Sequence, residues 1–114
     1  FRVREGLAKA RELRPDLKID GEFQADAAIV ERVAEKKVKR ESAVAGKANV
    51  LVFPDAAACN IATKLIQQFA PGHSYGPIYQ GFGQPVLDCS RGDTEERIYD
   101  NVAFCSVMAG CYAK

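Results

Sequence analysis

The sequence predicts an α/β fold in which helices are layered on a mainly parallel sheet. Two observations carry that prediction. Segments with helical spacing of apolar residues alternate along the chain with short extended runs, joined by short polar turns. One of those runs, residues 48–53 (Ala-Asn-Val-Leu-Val-Phe), is largely apolar and β-branched, as in a strand covered on both faces. Size agrees, because 114 residues with 47% apolar and 27% charged side chains suit one compact domain with a real core.

The elements follow in order. Over residues 2–14, Val3, Leu7, Ala10 and Leu13 step by three and four, which predicts an amphipathic helix stopped by Pro15-Asp16. Leu17-Lys18-Ile19-Asp20 alternates and reads as a short strand closed by Gly21. Residues 25–37 are Ala-rich, with Ala25, Ala28, Ile29 and Val33 on one face, so a second helix is expected there. A loop through Ser42 and Gly46 leads into the apolar strand at 48–53. Pro54-Asp55 breaks that strand, and Asp55 is a suitable N-cap for a helix striped by Ala58, Ile61, Ala62, Leu65, Ile66 and Phe69. Pro71-Gly72 ends it. Two extended segments, 75–79 and 85–88, flank the turn Gln80-Gly81-Phe82-Gly83. The last helix is expected over 94–112, with Ile98, Val102, Cys105, Ala109 and Tyr112 on its inner face. Three or four strands leave open sheet edges unless another segment or chain completes them. With Phe1 already inside a helical pattern, the chain reads as part of something larger.

Composition removes several function classes. A formal net charge of +1, with no long basic stripe, argues against a nucleic-acid partner. The run 36–40 (Lys-Lys-Val-Lys-Arg) is flanked by Glu35 and Glu41 and reads as a solvated helix end. The four cysteines, 59, 89, 105 and 111, form no Cys-x-x-Cys and have only His73 to join them, so no metal site is expected. Cys105 and Cys111 read as small apolar helix residues, and a reduced, cytoplasmic setting fits. No stretch approaches the ~20 apolar residues of a membrane span, and no signal peptide is visible.

Three places carry residues suited to chemistry. Residues 20–26 (Asp-Gly-Glu-Phe-Gln-Ala-Asp) follow the first predicted strand, where open α/β sheets place ligands; they line a cleft or form a turn and helix cap. Asn60 and Lys64 are four apart on one helix face, directed at a substrate or at solvent. The richest segment is Asp88-Cys89-Ser90-Arg91-Gly92-Asp93-Thr94-Glu95-Glu96. It puts a hydroxyl, a guanidinium and several backbone N–H groups at a helix N-terminus, an arrangement that suits an anion such as phosphate. Arg91 would supply a directional fork that a lysine lacks, and a downstream acid would serve as general base. A competing reading makes Asp93 an N-cap and Glu96 its capping-box partner. Val86 stands where Gly-x-Gly-x-x-Gly needs its third glycine after Gly81 and Gly83, and no Walker-type Gly-Lys-Ser/Thr exists, so both nucleotide motifs are rejected.

Taken together, these segments resemble the C-terminal part of the phosphate acetyl/butyryltransferase family. The matching pieces are 14–17 with 20–28, 44–55, Asn60-Ile61 with Lys64, 75–78 with Gln80-Gly81, and 88–92, in the family's order over nearly the whole chain. The resemblance implies a three-layer α/β/α, isopropylmalate dehydrogenase-like fold. Residues 1–114 would be the C-terminal part of a two-domain transferase whose N-terminal region is absent, with the active site in the cleft between domains and a homodimeric assembly. It implies reversible transfer of a short acyl group, acetyl foremost, between coenzyme A and inorganic phosphate. Acyl-CoA and phosphate are substrates, and no bound cofactor is expected. By the same resemblance, Ser90 and Arg91 act on the reacting thioester, while Ser90, Arg91, Gly92, Asn60, Lys64 and Gln80 bind substrate and CoA. One position departs: Arg97 stands seven residues after Ser90, where acetyltransferases of the family have an aspartate as proposed base for the CoA thiol. Glu96 is the neighbouring candidate base, although one residue on a helix rotates a side chain by about 100°. The opening of this motif leans to the butyryltransferase branch, while 20–26 and 75–78 lean to the acetyltransferase branch. The departure at Arg97 sustains an alternative, a non-catalytic acyl-CoA-binding module like the corresponding region of large malic enzymes.

Overall fold

The computed structural model describes residues 2–112. These contain five helices and one short antiparallel pair: α1 (Arg2–Leu13), α2 (Ala25–Ile29), α3 (Glu31–Lys37), α4 (Ala56–Phe69), β1 (Ile78–Tyr79), β2 (Val86–Leu87) and α5 (Glu95–Tyr112). The chain divides into two compact units, one ending at Thr63 and the other starting at Lys64, with α4 running across the boundary.

In the first unit, α1 forms where the periodicity predicts it and stops before Pro15. The helix expected over 25–37 is instead two helices, broken at Val30, whose backbone is extended (φ −116°, ψ 110°). The loop after α3 explains the break. An unbroken helix would use the carbonyls of Ala27 and Ala28 for the N–H groups four residues on. Here Ala27 O accepts the Gly46 N–H (2.9 Å) and Ala28 O accepts the Ala48 N–H (3.0 Å). The loop lies against α2 and α3 because the side chains beneath are small: among the described residues, Ala27, Ala28 and Ala34 are the buried apolar side chains. Gly46 has φ +75°, and a Cβ built on it would lie 2.6 Å from Glu31 Cα, so both conformation and space call for glycine.

The expected parallel sheet does not form within the described residues. Neither 17–20 nor 48–53 joins a ladder, and the one ladder present is antiparallel. A strand gains its backbone hydrogen bonds only from a neighbouring strand, and these two runs find other partners. Ile19 O accepts from Arg11 Nε (3.1 Å), and Ala48 is tied to Ala28. Val50 and Val52 are 73% and 91% exposed, so this apolar run lacks cover on the faces that a sheet strand would bury.

In the second unit, the two predicted extended segments contain β1 and β2, which pair antiparallel on either side of the glycine-bearing turn. Ile78 faces Leu87 and Tyr79 faces Val86, and the Asp88 N–H adds a bond to Pro77 O (3.0 Å). α4, which begins in the first unit, starts at its predicted cap, with the Ala58 N–H donating to Asp55 Oδ1 (2.8 Å). The face that α5 covers differs from expectation. Ile98, Val102 and Tyr112 are exposed, and the covered line runs through Arg97, Asn101, Cys105 and Met108. Asn101, 3% exposed, draws that face inward. Its Oδ1 accepts the Gly76 N–H at 2.8 Å, and its Nδ2 reaches Gly76 O and Asp88 O at 3.4 Å each. A buried amide that both donates and accepts fixes the helix more strictly than an apolar stripe does. The Tyr75 and Phe104 rings stack beside it, centroids 6.0 Å apart.

Candidate active site

β2 delivers the chain to Asp88, whose Oδ1 accepts the Cys89 N–H (2.8 Å). Residues 90–93 then form a tight turn, closed by the Asp93 N–H donating to Ser90 O (3.0 Å). The Asp93 side chain folds back so that Oδ2 accepts the Ser90 N–H at 2.6 Å, while Oδ1 meets Arg97 Nη1 at 3.0 Å. Asp93 is therefore not the helix cap that the sequence suggests. Thr94 is, its Oγ1 accepting the Arg97 N–H (3.3 Å), and no Asp93–Glu96 capping box forms.

Lys64, near the middle of α4, donates from Nζ to Ser90 Oγ at 2.7 Å. Twenty-six residues apart in sequence, the two meet on the exposed side of the turn. Arg91 is exposed and makes no side-chain hydrogen bond or ion pair with the described residues. The charge balance follows. Asp93 is matched by Arg97, which leaves the ammonium of Lys64 on the Ser90 hydroxyl and the exposed Arg91 next to Ser90 in the chain. Ser90 Oγ accepts from Lys64 and retains its own proton to donate. Two cations, a hydroxyl donor and a helix N-terminus just downstream suit an anionic oxygen.

The other predicted site residues are placed as follows. Gly92 lies within the turn, with open space where a side chain would stand. Glu96 is exposed in the first turn of α5. Asn60 is exposed on α4, in the part belonging to the first unit, and Gln80 is exposed in the loop after β1. Neither Glu96, Asn60 nor Gln80 makes a side-chain hydrogen bond with the described residues, so the structure joins only Lys64 directly to the Ser90 turn.

The acidic segment 20–26 takes on another task within the first unit. The Asp20 side chain, 6% exposed, accepts from Arg11 Nη2 (2.7 Å), Arg40 Nη1 (2.6 Å) and Nη2 (2.9 Å), Ser42 Oγ (2.6 Å) and its neighbour's Gly21 N–H (2.9 Å). Burial alone would push its carboxyl up. The hydrogen bonds from Arg40, Ser42 and Gly21, together with the Arg40 charge, outweigh burial and hold it well below the usual carboxylate range. Arg40 also lies over the Phe23 ring, 5.1 Å from its centroid. Glu22 pairs with Arg4 (2.8 Å), and Lys37 bridges Gln24 (2.6 Å) and Asp26 (2.7 Å). Glu22 and Gln24 line an open groove of about 440 Å³ with Phe23 and Lys37. The predicted basic run thus supplies partners for these acids.

Comparison with known proteins decides the family. The model of the family described as phosphate acetyl/butaryl transferase matches residues 1–106. The chain belongs to that family. It is 55% identical over 100 residues to a phosphate acetyltransferase of Acetivibrio thermocellus, an overlap covering 88% of this chain and 30% of the relative. It is 50% identical over 108 residues to one from Thermoanaerobacterium thermosaccharolyticum, covering 95% and 33%. It is 46% identical over 108 residues to one from Bacillus subtilis, again covering 95% and 33%. The chain thus spans about a third of the length of the relatives it matches. The family resemblance read from the motifs is borne out.

Asn101, Asp93 and Arg97 are the residues that sequence reasoning missed or assigned elsewhere. For Asp93 a signal existed, because the spacing Ser90-x-x-Asp93 is that in which an acid's side chain reaches back to the N–H of the residue three before it. For Asn101 none did.

Proposed function

We propose that this chain carries the Ser90 turn of a phosphate acyltransferase, which moves a short acyl group, acetyl foremost, between coenzyme A and inorganic phosphate. The observation that carries the proposal is the Lys64–Ser90 contact, an ammonium on a hydroxyl with the exposed Arg91 next in sequence, in a chain belonging to this family. In one direction a phosphate oxygen attacks the thioester carbonyl, the C–S bond breaks, and CoA leaves, gaining a proton. In the other, the CoA thiol loses its proton and its sulfur attacks the carbonyl carbon of the acyl phosphate, the C–O bond to phosphate breaks, and inorganic phosphate leaves. A free thiol has a pKa of about 8.5, so a positioned base speeds this direction, typically by ~10²–10⁴-fold. Arg91 meets the charge growing on the carbonyl oxygen, Ser90 donates to the reacting group, and Lys64 holds an anionic oxygen of phosphate or CoA. Gly92, Asn60 and Gln80 complete the substrate contacts, and Glu96 is the base.

We assign the chain to the C-terminal part of a longer cytoplasmic protein that works as a homodimer. Its runs 17–20 and 48–53 would join a parallel sheet of a three-layer, isopropylmalate dehydrogenase-like fold. The exposed Val50 and Val52, together with the share of the relatives' length that the chain spans, support that assignment. Thiol release from acetyl-CoA and butyryl-CoA by the full-length protein, with and without phosphate, tests the function. Phosphate-dependent release supports it, and its absence with every short acyl-CoA sinks it. Arg97, already paired with Asp93, favours one second reading, a non-catalytic acyl-CoA-binding module. That reading predicts saturable acetyl-CoA binding without turnover.

A further inference from the structure

We infer that Asp93, held by Arg97, is the positioning residue of the Ser90–Arg91 turn, and that it is not a proton acceptor in the reaction. The inference rests on the acyltransfer reading above and assigns separate duties to the acids around Ser90.

Asp93 grips the turn twice, through its backbone N–H on Ser90 O (3.0 Å) and through Oδ2 on the Ser90 N–H (2.6 Å). Its other oxygen is tied to Arg97 one helical turn on, at 3.0 Å. The Asp93 side chain is 2% exposed and that of Arg97 24%, so the pair is largely shielded from solvent and salt. A carboxylate so enclosed would have to release Ser90 or Arg97 to exchange a proton with CoA. Glu96 is exposed and makes no side-chain bond with the described residues, so nothing holds it back from that task. Arg97 also accounts for how a buried acid is tolerated at the turn: it neutralises Asp93, leaving Lys64 and Arg91 as the charges that an incoming anion meets. The two residues fix the backbone that carries the Ser90 side chain, whose hydroxyl Lys64 holds, without touching substrate.

The test uses the full-length protein and four variants: Asp93→Ala, Asp93→Asn, Ser90→Ala and the Ser90→Ala/Asp93→Ala double. Asp93→Ala is expected to lower kcat about 100-fold with KM little changed, the cost of a displacement of roughly 1 Å at a reacting group. Asp93→Asn keeps an oxygen for the Ser90 N–H and is expected to stay within about tenfold of the parent. In the Ser90→Ala background, Asp93→Ala should cost less than about threefold, because residues acting as a unit are not additive. An equal cost in both backgrounds, or an unchanged kcat in Asp93→Ala, overturns the inference. Amide exchange at Ser90 gives a readout independent of turnover. It should be slow in the parent and in Asp93→Asn and fast in Asp93→Ala, and equal exchange in all three overturns the inference. Loss of the acyltransfer reading would instead appear as no phosphate-dependent CoA release by the parent, with the Ser90 exchange pattern intact.

Discussion

Replacing Gly46 with alanine tests the packing of the first unit most sharply. The residue holds φ +75°, a conformation that costs an L side chain about 1–2 kcal/mol. The added Cβ would lie 2.6 Å from Glu31 Cα, 3.0 Å from Glu31 N and 3.1 Å from Ala34 Cβ. The nearest of these is backbone, fixed in the first turn of α3, so it cannot swing aside like a flexible side chain. Overpacking of this kind typically adds about 1–3 kcal/mol, for a total of about 2–5 kcal/mol. The strain falls on the bonds that the loop gives to α2, from Gly46 N to Ala27 O and from Ala48 N to Ala28 O. Amide exchange at positions 46 and 48 in the full-length protein reads it directly. With tenfold per 1.4 kcal/mol, exchange should speed by about 30- to 4,000-fold. Gly6→Ala is the control: nothing lies within 4 Å of its Cβ, and it sits inside α1. That change should stabilise the helix by about 0.5–1 kcal/mol. The reasoning is refuted if Gly46→Ala leaves exchange within about threefold of the parent, or if both substitutions shift stability in the same direction.

Two other predictions concern buried polar groups. Asp20→Ala should destabilise the full-length protein by about 2 kcal/mol, below the usual cost of breaking a buried pair because Arg11 and Arg40 are half exposed. Because the folded carboxyl titrates below its ordinary value of 3.8, its contribution is complete above that pH and is lost as pH falls toward the folded pKa. Melting at pH 5 and pH 3 should therefore show a steeper acid loss in the parent than in Asp20→Asn, and equal slopes would contradict the assignment. Asn101→Ala removes the acceptor of the buried Gly76 N–H and should cost about 1–3 kcal/mol. Asn101→Asp should restore protection of the Gly76 amide without the donor to Asp88 O, whereas fast Gly76 exchange in that variant would count against the amide clamp.

What was legible in the sequence is what local chemistry decides. α1 and α4 follow from apolar spacing, the Asp55 cap from one side chain and the N–H three residues on, and the two extended segments of the second unit from the glycine-bearing turn between them. The break at Val30 was not legible, because it depends on carbonyls captured by Gly46 and Ala48 from a distant loop. The parallel sheet does not form among the described residues. Residues 48–53 have strand composition, but a ladder needs neighbours, and the described residues supply none. On α5 the apolar stripe through Ile98 and Val102 pointed to the wrong face, because one buried amide, Asn101, sets the orientation. The Ser90 turn is read from its residue types, and Lys64 from its place four residues after Asn60 on one helix face and from the family resemblance. Their 2.7 Å contact joins residues that no local rule connects.

The central claim is that the Ser90–Arg91 turn stabilises the transition state of acyl transfer between CoA and phosphate. Phosphate-dependent CoA release by the full-length protein, parent beside Arg91→Ala, addresses it most directly. The parent should turn over, and the variant should lose about 10²–10³ in kcat, as loss of one donor to a developing oxyanion does, with CoA binding far less affected. Equal losses in turnover and CoA binding, or no phosphate-dependent release by the parent, would contradict it.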